Sequence, residues 1–271
     1  MNSSYRPEPL EGLAMLRHTS DVRGYAIGAT DGPIGSITDL LFDDATWLVR
    51  WLVVDTGGVF NGRKVLVPPS ALGAVNHIGH QLSVRLTKQQ IKDSPDISTD
   101  APVSRVMETN LYDYYGWSPY WSTGFYMGGY GYPAGMTTPI GLGFTSRDRE
   151  DDVEAREGGD RHLRSVHEVT GYHLHARDGE IGHVEDFLIE DGDWSIHYLV
   201  VDTKNWWPGK RVLISPRSIE STNWAERRVN LDVNRQTIKD SPPYDGSKEV
   251  DRAYEHRFHG YYDGRRVTEP V

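Results

Sequence analysis

The sequence contains no cysteine, and this absence removes three kinds of chemistry at once. A chain without thiols forms no disulfide, builds no thiolate zinc site and offers no cysteine nucleophile. Long apolar runs are absent as well. The longest, such as residues 51–54 and 198–201, have the length of a strand, whereas a membrane-spanning helix needs about 18 apolar residues. We therefore predict a chain with no membrane span.

Positive charge is also scarce. The 271 residues include 29 lysines and arginines against 39 aspartates and glutamates, which gives a formal net charge of -10. Proteins bind nucleic acids mainly by neutralising phosphates with lysine and arginine, so this balance argues against a nucleic-acid ligand. The N-terminal residues lack the apolar segment of a secretory signal, and the cytoplasm is the expected location.

An internal duplication organises the chain. The stretch WLVRWLVVDT at 47–56 has a counterpart, WSIHYLVVDT, at 194–203, which lies 147 residues later. The same offset aligns 16–95 with 163–242 without a gap, and about 30 of the 80 aligned positions are identical. The sequence therefore predicts two related domains, as its length also suggests.

Each copy is predicted to consist of short strands. In the first copy these strands lie at 24–30, 34–42, 47–55, 64–67 and 82–86. Asp31-Gly32, repeated as Asp178-Gly179, favours a hairpin with a type I′ turn, in which both central residues have positive φ. Five or so short strands separated by turn signals indicate a small closed barrel.

A helix is predicted to follow each set of strands. Apolar residues recur at helical spacing, namely Val103, Val106, Met107, Leu111, Tyr114 and Tyr115 in the first copy and Val250, Ala253, Tyr254, Phe258, Tyr261 and Tyr262 in the second. We expect these helices to pack on the barrels or at an interface. Their tyrosine pairs, 114–115 and 261–262, are candidate partner contacts.

The sequence between the copies differs in composition. It is rich in glycine and aromatic residues at 116–136 and mixed in charge at 146–162, which predicts a flexible linker. The expected division of the chain is a polar leader (1–15), a first repeat with its helix (16–115), a linker (116–162), a second repeat with its helix (163–262) and a tail (263–271).

Three motifs recur in both copies and carry a family resemblance. They are a Gly-x-hydrophobic-x-Asp element at 35–39 and 182–186, an apolar triplet at 52–54 and 199–201, and a strand end at a proline, at 66–68 and more loosely at 213–216. With these motifs each half resembles the PRC-barrel domain, which is named for the cytoplasmic part of the photosynthetic reaction centre H subunit.

The resemblance implies a mainly β protein of two tandem small PRC-type barrels, each followed by a short helix. It also implies a non-catalytic binding or assembly module that contacts another protein or complex, with a reaction-centre-like or stress-related role and no cofactor. Because a duplication can reproduce the two-fold contact of a homodimer within one chain, we expect the two barrels to pair internally. Homo-oligomers remain possible.

Four recurring aspartates are the candidates for acid–base chemistry: Asp39, Asp55, Asp186 and Asp202. The alternative is structural, because an aspartate at a strand end accepts backbone N–H bonds in a turn. No paired base, nucleophile or oxyanion donor accompanies them in the sequence, so we expect no enzyme.

Histidines are concentrated in the second copy and suggest an alternative function. His173, His175, His183 and His197 lie on neighbouring predicted strands and could bind a transition metal or a small ligand. The first copy has no histidine at the matching positions. The competing interpretation is a set of solvated histidines on a sheet face.

Tryptophans divide into two groups. Trp47 and Trp194 begin the central strands, where large aromatics fill a core or seal an interface. Trp206 and Trp207 lie in a loop with no core role, and we predict that they contact a protein partner because tryptophan is enriched in binding hot spots.

Overall fold

A computed structural model describes residues 15–60, 62–94, 105–116, 162–203, 210–246 and 250–266. Its two halves have the same order of elements. The first half contains β1 (Leu16–His18), α1 (Thr19–Val22), β2 (Ala26–Ala29), β3 (Gly32–Asp43), β4 (Val49–Asp55), β5 (Lys64–Val67), β6 (Leu72–Asn76), β7 (Gln81–Val84), α2 (Lys88–Lys92) and α3 (Arg105–Tyr115). The second contains β8 (Leu163–Ser165), α4 (Val166–Val169), β9 (His173–Ala176), β10 (Gly179–Glu190), β11 (Ile196–Asp202), β12 (Arg211–Ile214), β13 (Ile219–Asn223), β14 (Arg228–Leu231), α5 (Arg235–Lys239) and α6 (Arg252–Arg266).

Two seven-stranded sheets make up most of the described structure, which confirms the mainly β fold. The first sheet has the order β5-β4-β3-β2-β7-β6, and the second has the equivalent order β12-β11-β10-β9-β14-β13. Neighbouring strands are antiparallel except for the parallel pairs β2 with β7 and β9 with β14. In the hydrogen-bonded ladders, β5 and β6 are the edges of the first sheet, and β12 and β13 are those of the second.

The predicted strands are recovered with shifted ends, and two strands in each half were missed. The prediction for 64–67 matches β5, and those for 24–30 and 82–86 become the shorter β2 and β7. The unpredicted strands are β1 and β6 and their counterparts β8 and β13, whose side chains are largely exposed or half-buried. Such strands lack the run of apolar residues from which the other strands were recognised.

The predicted hairpin forms, but its turn is displaced by one residue. Ala29 pairs with Gly32, so the two loop residues are Thr30 and Asp31. Gly32 has φ +134°, whereas Asp31 does not have positive φ, and the type I′ prediction is therefore wrong. The Asp31 carboxylate instead accepts the backbone N–H of Lys88 at 2.8 Å, at the first residue of α2. The turn aspartate is used to hold a helix end.

The glycine of the Gly-x-hydrophobic-x-Asp element permits a close approach of two backbones. A Cβ on Gly35 would lie 1.9 Å from the carbonyl oxygen of Asp55, and one on Gly182 would lie 2.0 Å from that of Asp202. Real side chains do not approach backbone atoms so closely, so only glycine fits at this point of the pairing of β3 with β4 and of β10 with β11.

The two halves exchange their first strands. β1, from the first half, pairs with β10 of the second, and β8, from the second half, pairs with β3 of the first. The registers are equivalent: Leu16 lies opposite Glu190, and Leu163 lies opposite Asp43. Each sheet therefore takes its seventh strand from the other half of the chain.

Trp47 and Trp194 join the halves at the centre of this junction. Both have positive φ, 60° and 63°, which is uncommon for a bulky residue. The Trp194 carbonyl accepts the N–H of Val49 at 2.9 Å, and the Trp47 carbonyl accepts that of Ile196 at 2.7 Å. The strained turns thus aim two carbonyls across the junction in a symmetrical way.

One hydrophobic cluster runs through both halves, with Phe42 and Phe187 in contact at a ring separation of 5.8 Å. A separate cluster lies on the outer face of the first sheet, where α3 covers it. There Leu111 and Tyr112 of α3 pack with Trp51, and all three are buried. The α6 side chain of Phe258 contacts Tyr198, the counterpart of Trp51, at 4.9 Å between ring centres.

Among the residues described, no helix combines the length and the apolar character that crossing a membrane requires.

Candidate functional site

The buried carboxylate of Asp186 anchors the exchanged β1 segment to the second half. Thr19 Oγ1 and Ser20 Oγ donate hydrogen bonds to it at 2.5 and 2.6 Å, and the backbone N–H groups of Ser20 and Phe187 donate at 3.3 and 2.8 Å. The His18 ring lies 2.8 Å away through Nδ1. Residues from the two halves thus surround one carboxylate.

Asp39 has the same role in the other half with fewer donors. Its carboxylate accepts Ser165 Oγ at 2.5 Å and the N–H of His167 at 3.1 Å, both from the exchanged β8 segment. It also accepts the N–H of Leu40 at 2.8 Å. Asp39 and Asp186 thus accept hydroxyl and backbone donors of the opposite half. Asp39 lies within β3 and Asp186 within β10, so the prediction of a turn at a strand end is wrong for these two aspartates.

His18 connects Asp186 to Tyr244. Its Nε2 lies 2.7 Å from the Tyr244 hydroxyl, so the three side chains form a hydrogen-bonded chain. Burial lowers the pKa of His18, but the hydrogen bond and the negative charge of Asp186 outweigh it and leave the pKa above 6.5. Burial by itself raises the pKa of Asp186, but the hydrogen bonds donated by His18, Ser20, Thr19 and Phe187 have the larger effect. The pKa of Asp186 therefore lies below 3.8.

A polar cavity of about 380 Å³ opens beside this chain. Its walls come from both halves and include His18, Ser20, Asp21, Glu185, Asp186 and Arg211. The Arg211 guanidinium donates to both carboxylate oxygens of Glu185, at 2.6 and 2.5 Å, in a bidentate pair. The cavity therefore presents fixed charges of both signs.

Two further aspartates tie the halves together nearby. Asp191 accepts the N–H of Met15 at 2.9 Å and lies 3.1 Å from Nε2 of His77, a residue of the first half. Its counterpart Asp44 pairs with His162 at 2.7 Å and with Arg164 at 2.9 Å. The junction thus repeats one design, an aspartate that binds the segment exchanged from the other half.

The phenol of Tyr244 is held in this hydrogen-bonded chain in its protonated form. Burial, together with the charges of Asp186 and Asp21, raises the pKa of Tyr244 to about 12, so its phenol stays protonated at neutral pH. A protonated phenol is a hydrogen-bonding group and a weak nucleophile. The fixed hydrogen bonds of Asp186 likewise position a structural segment.

Comparison with known proteins identifies the first half. Residues 17–91 match the family model of the PRC-barrel domain. The chain contains a PRC-barrel domain. The match runs from β1 into α2, so the PRC-barrel domain includes the strand that crosses to the other half.

A relative from Deinococcus radiodurans, described as an uncharacterized protein, is 36% identical over 86 residues. The similar stretch covers 31% of this chain and 31% of the relative, so less than a third of the relative's length is matched. The recognition of a PRC-barrel domain from the repeated motifs is confirmed.

The tyrosines proposed as partner contacts have unequal exposure. Tyr114, on the helix after the PRC-barrel domain, is 41% exposed, and its hydroxyl donates to the Gln90 carbonyl at 2.9 Å. Tyr115 and Tyr261 are half-buried, and Tyr262 is 7% exposed and part of the core. Of the four, Tyr114 presents the most surface to a partner.

The four histidines proposed as metal ligands are not brought together as one cluster. His173 and His183 are register partners on β9 and β10, and His173 pairs with Glu180 at 3.0 Å. His175 lies opposite Glu180. The register partner of His183 on β11 is Asp202, five residues beyond His197, which is a distance of roughly 17 Å along a strand. His197 instead pairs with Glu190 at 3.0 Å.

Trp206 and Trp207 lie outside the described residues, as does nearly all of the predicted linker at 116–162.

The sequence analysis did not recognise His18, Tyr244 and Arg211 as members of a common site. His18 and Tyr244 are 226 residues apart, and the pairing of β1 with the opposite half is what brings them together. The repetition of Asp39 as Asp186 in the second copy was the sequence feature that pointed to this site.

Proposed function

We propose that the protein is a non-catalytic module of two tandem PRC-type barrels, paired with one another, that binds or assembles with another protein. The family match in the first half supports the first barrel. The equal strand order and the equivalent register of the second sheet support the second. In each sheet, edge strands approaching one another around the apolar core would complete a barrel.

The exchange of β1 and β8 is the observation that carries this proposal. Each sheet contains one strand from the other half, and one hydrophobic core includes residues of both halves. The two halves would therefore bind a partner as a single unit. A rigid surface loses little conformational freedom on binding, which favours affinity. Such a platform suits an assembly module.

The proposed partner contacts are Trp206 and Trp207, chosen from the sequence, and Tyr114 on α3, which is 41% exposed. Large aromatics contribute strongly to protein interfaces because they bury much area with few rotatable bonds. The net charge of -10 disfavours nucleic acid as the partner. A protein is therefore the partner class that we propose.

The test is quantitative affinity purification of the tagged full chain from its own cells, followed by mass spectrometry. We expect a stoichiometric protein that is lost with the double variant Trp206→Ala/Trp207→Ala and reduced with Tyr114→Ser. Ile78→Ser is the matched control, because Ile78 is 98% exposed on the β6–β7 hairpin and is not among the proposed contacts. Recovery of the same protein with the double variant would contradict the proposed surface.

A further inference from the structure

Three potential metal ligands meet at the hairpin between β10 and β11. Within the described part of the chain, Glu190, Asp193 and His197 form a group whose ligand atoms all lie within 4.8 Å of one another. The imidazole Nε2 of His197 is 3.0 Å from a carboxylate oxygen of Glu190. The set offers one nitrogen and two carboxylates.

The hairpin holds these side chains on a well-fixed backbone. Glu190 exchanges backbone hydrogen bonds with Trp194 and Ser195, each at 2.9 Å. Asp193 accepts the N–H of Ser195 at 2.8 Å with Oδ1. Trp194 is buried and bonded to the other half. The three ligands therefore lie on a turn anchored at both its tip and its base.

The duplicate hairpin in the first half has a cation at the corresponding place. Asp43 corresponds to Glu190, Thr46 to Asp193 and Arg50 to His197. The Arg50 guanidinium donates to Asp43 at 3.1 Å and also to Glu108, and both Arg50 and Asp43 are buried. The first half thus neutralises its carboxylate with a cation from its own chain.

The second half replaces that arrangement with a set of donors. Arginine has given way to an imidazole that can coordinate a metal, and threonine has given way to a second carboxylate. Among the described residues, no lysine or arginine forms an ion pair with Glu190 or Asp193. The triplet that is formally neutral in the first half carries two negative charges in the second.

We propose that Glu190, Asp193 and His197 bind a divalent first-row transition-metal ion such as Zn²⁺. Imidazole and carboxylate ligands suit these ions. Bonds of about 2.0–2.2 Å in tetrahedral geometry separate neighbouring ligand atoms by about 3.3 Å, close to the 3.0 Å between His197 and Glu190. The ion takes the place that the guanidinium holds in the first half.

This site differs from the histidine set that the sequence suggested, since only His197 belongs to both. It also shares no residue with the proposed partner contacts. An ion bound there links β10 to β11 at the turn that carries Trp194, and so stabilises the folded chain by binding it in preference to the unfolded one.

The test is a calorimetric titration of the chelator-treated full chain with Zn²⁺ at pH 7.5, with Mn²⁺ as a second probe. We expect one saturable equivalent of Zn²⁺ and a higher melting temperature at saturation. Asp193→Asn should weaken binding at least ten-fold, because it removes a charge and keeps the acceptor for Ser195. His197→Arg, which copies Arg50 and can pair with Glu190, should abolish binding while the chain stays folded.

His173→Gln is the matched control, because His173 lies on the same sheet but outside the cluster. It should leave the affinity unchanged. Three results would each overturn the proposal. They are no saturable binding up to about 1 mM Zn²⁺, an affinity in Asp193→Asn and His197→Arg equal to that of the unchanged chain, or a loss of affinity in His173→Gln as large as in the two cluster variants. The last outcome would assign the binding to dispersed surface histidines.

Discussion

At the scale of single residues, the arrangement around Asp186 shows how a recurring aspartate is specialised in each half. Ser165 and His18 occupy equivalent positions, and each contacts the aspartate of the opposite half. Where the serine contributes a neutral hydrogen bond, the histidine can contribute a charge. The attachment of β1 is thereby made sensitive to pH, whereas the bond from Ser165 is not.

The pair of His18 and Asp186 predicts a pH window. The raised pKa of His18 gives stability that is fully present below about 6.5 and lost as the pH rises through the folded-state pKa. The lowered pKa of Asp186 gives stability that is present above about 3.8 and lost as the pH falls through its folded-state pKa. The contribution is therefore largest between about pH 4 and 6.5.

We expect His18→Gln to lower the melting temperature more at pH 5.5 than at pH 8.5, since glutamine keeps hydrogen bonds but carries no charge. Differential scanning calorimetry of both proteins at both pH values measures this difference. His173→Gln, which removes an exposed histidine paired with Glu180, is the control and should show a smaller dependence on pH. Equal losses for His18→Gln at the two pH values would refute the charge contribution.

Position 50 and its counterpart 197 show how much one substitution changes a site. Arg50 is 5% exposed and joins Asp43 to Glu108, a residue with no exposed surface that also accepts the Trp51 indole N–H at 2.5 Å. A buried charge requires such partners. His197 is half-buried, and the Glu190 carboxylate that it contacts is partly exposed to solvent.

At the scale of secondary-structure elements, the exchanged segments are short and depend on side-chain anchors. β1 and β8 contain three residues each, and the helices that follow contain four. Elements of this length are not stable alone. Their attachment to the opposite sheet is provided by the strand pairing together with the hydrogen bonds to Asp186 and Asp39.

We therefore expect Asp39→Ala and Asp186→Ala to lower the free energy of unfolding through donors left without acceptors. Asp39→Ala should cost about 1–3 kcal/mol. Asp186→Ala should cost more, because it leaves donors from His18, Thr19 and Ser20 unsatisfied. Guanidinium denaturation measures both values.

Asp55→Ala is the control for the aspartate substitutions. Asp55 also ends a strand in the motif region, but within the described part of the chain its carboxylate accepts just the local N–H of Gly57, at 2.8 Å. Its loss should cost about 1 kcal/mol or less. A similar cost for all three variants would show that the aspartates do not anchor the exchanged segments.

At the scale of the whole molecule, the exchange makes each half dependent on the other. In a fragment of residues 160–271, β8 has lost β3, and β10 has lost β1. The simplest repair is for β8 of one copy to pair with β10 of a second copy, because β1 and β8 share the sequence Leu-Arg and equivalent registers.

We expect this fragment to form a two-fold dimer with exchanged strands, whereas the full chain contains the same contact internally. Sedimentation equilibrium over a hundred-fold range of concentration, with thermal melts at each concentration, measures the association. Asp186→Ala in the fragment should weaken the dimer, because Asp186 would receive the partner copy's Ser165. A fragment that remains monomeric and equally stable at every concentration would contradict the exchange.

The sequence determined the mainly β fold, the repeated motifs and the helices at 105–115 and 252–266. These follow from local patterns: alternating apolar residues for strands, helical spacing for the face that contains Leu111 and Phe258, and a glycine where Gly35 and Gly182 meet another backbone. Such features depend on neighbours along the chain or within one hairpin, so each copy encodes them separately.

Only the tertiary structure decided which half each first strand joins, and with it the site. His18, Asp186 and Tyr244 are far apart in sequence. His197 differs from the other predicted histidine ligands because the register of β10 and β11 places it beside Glu190. The two copies are similar enough that β1 could pair with either β3 or β10. The choice depends on the packing of both halves around one core, which no single stretch of sequence specifies.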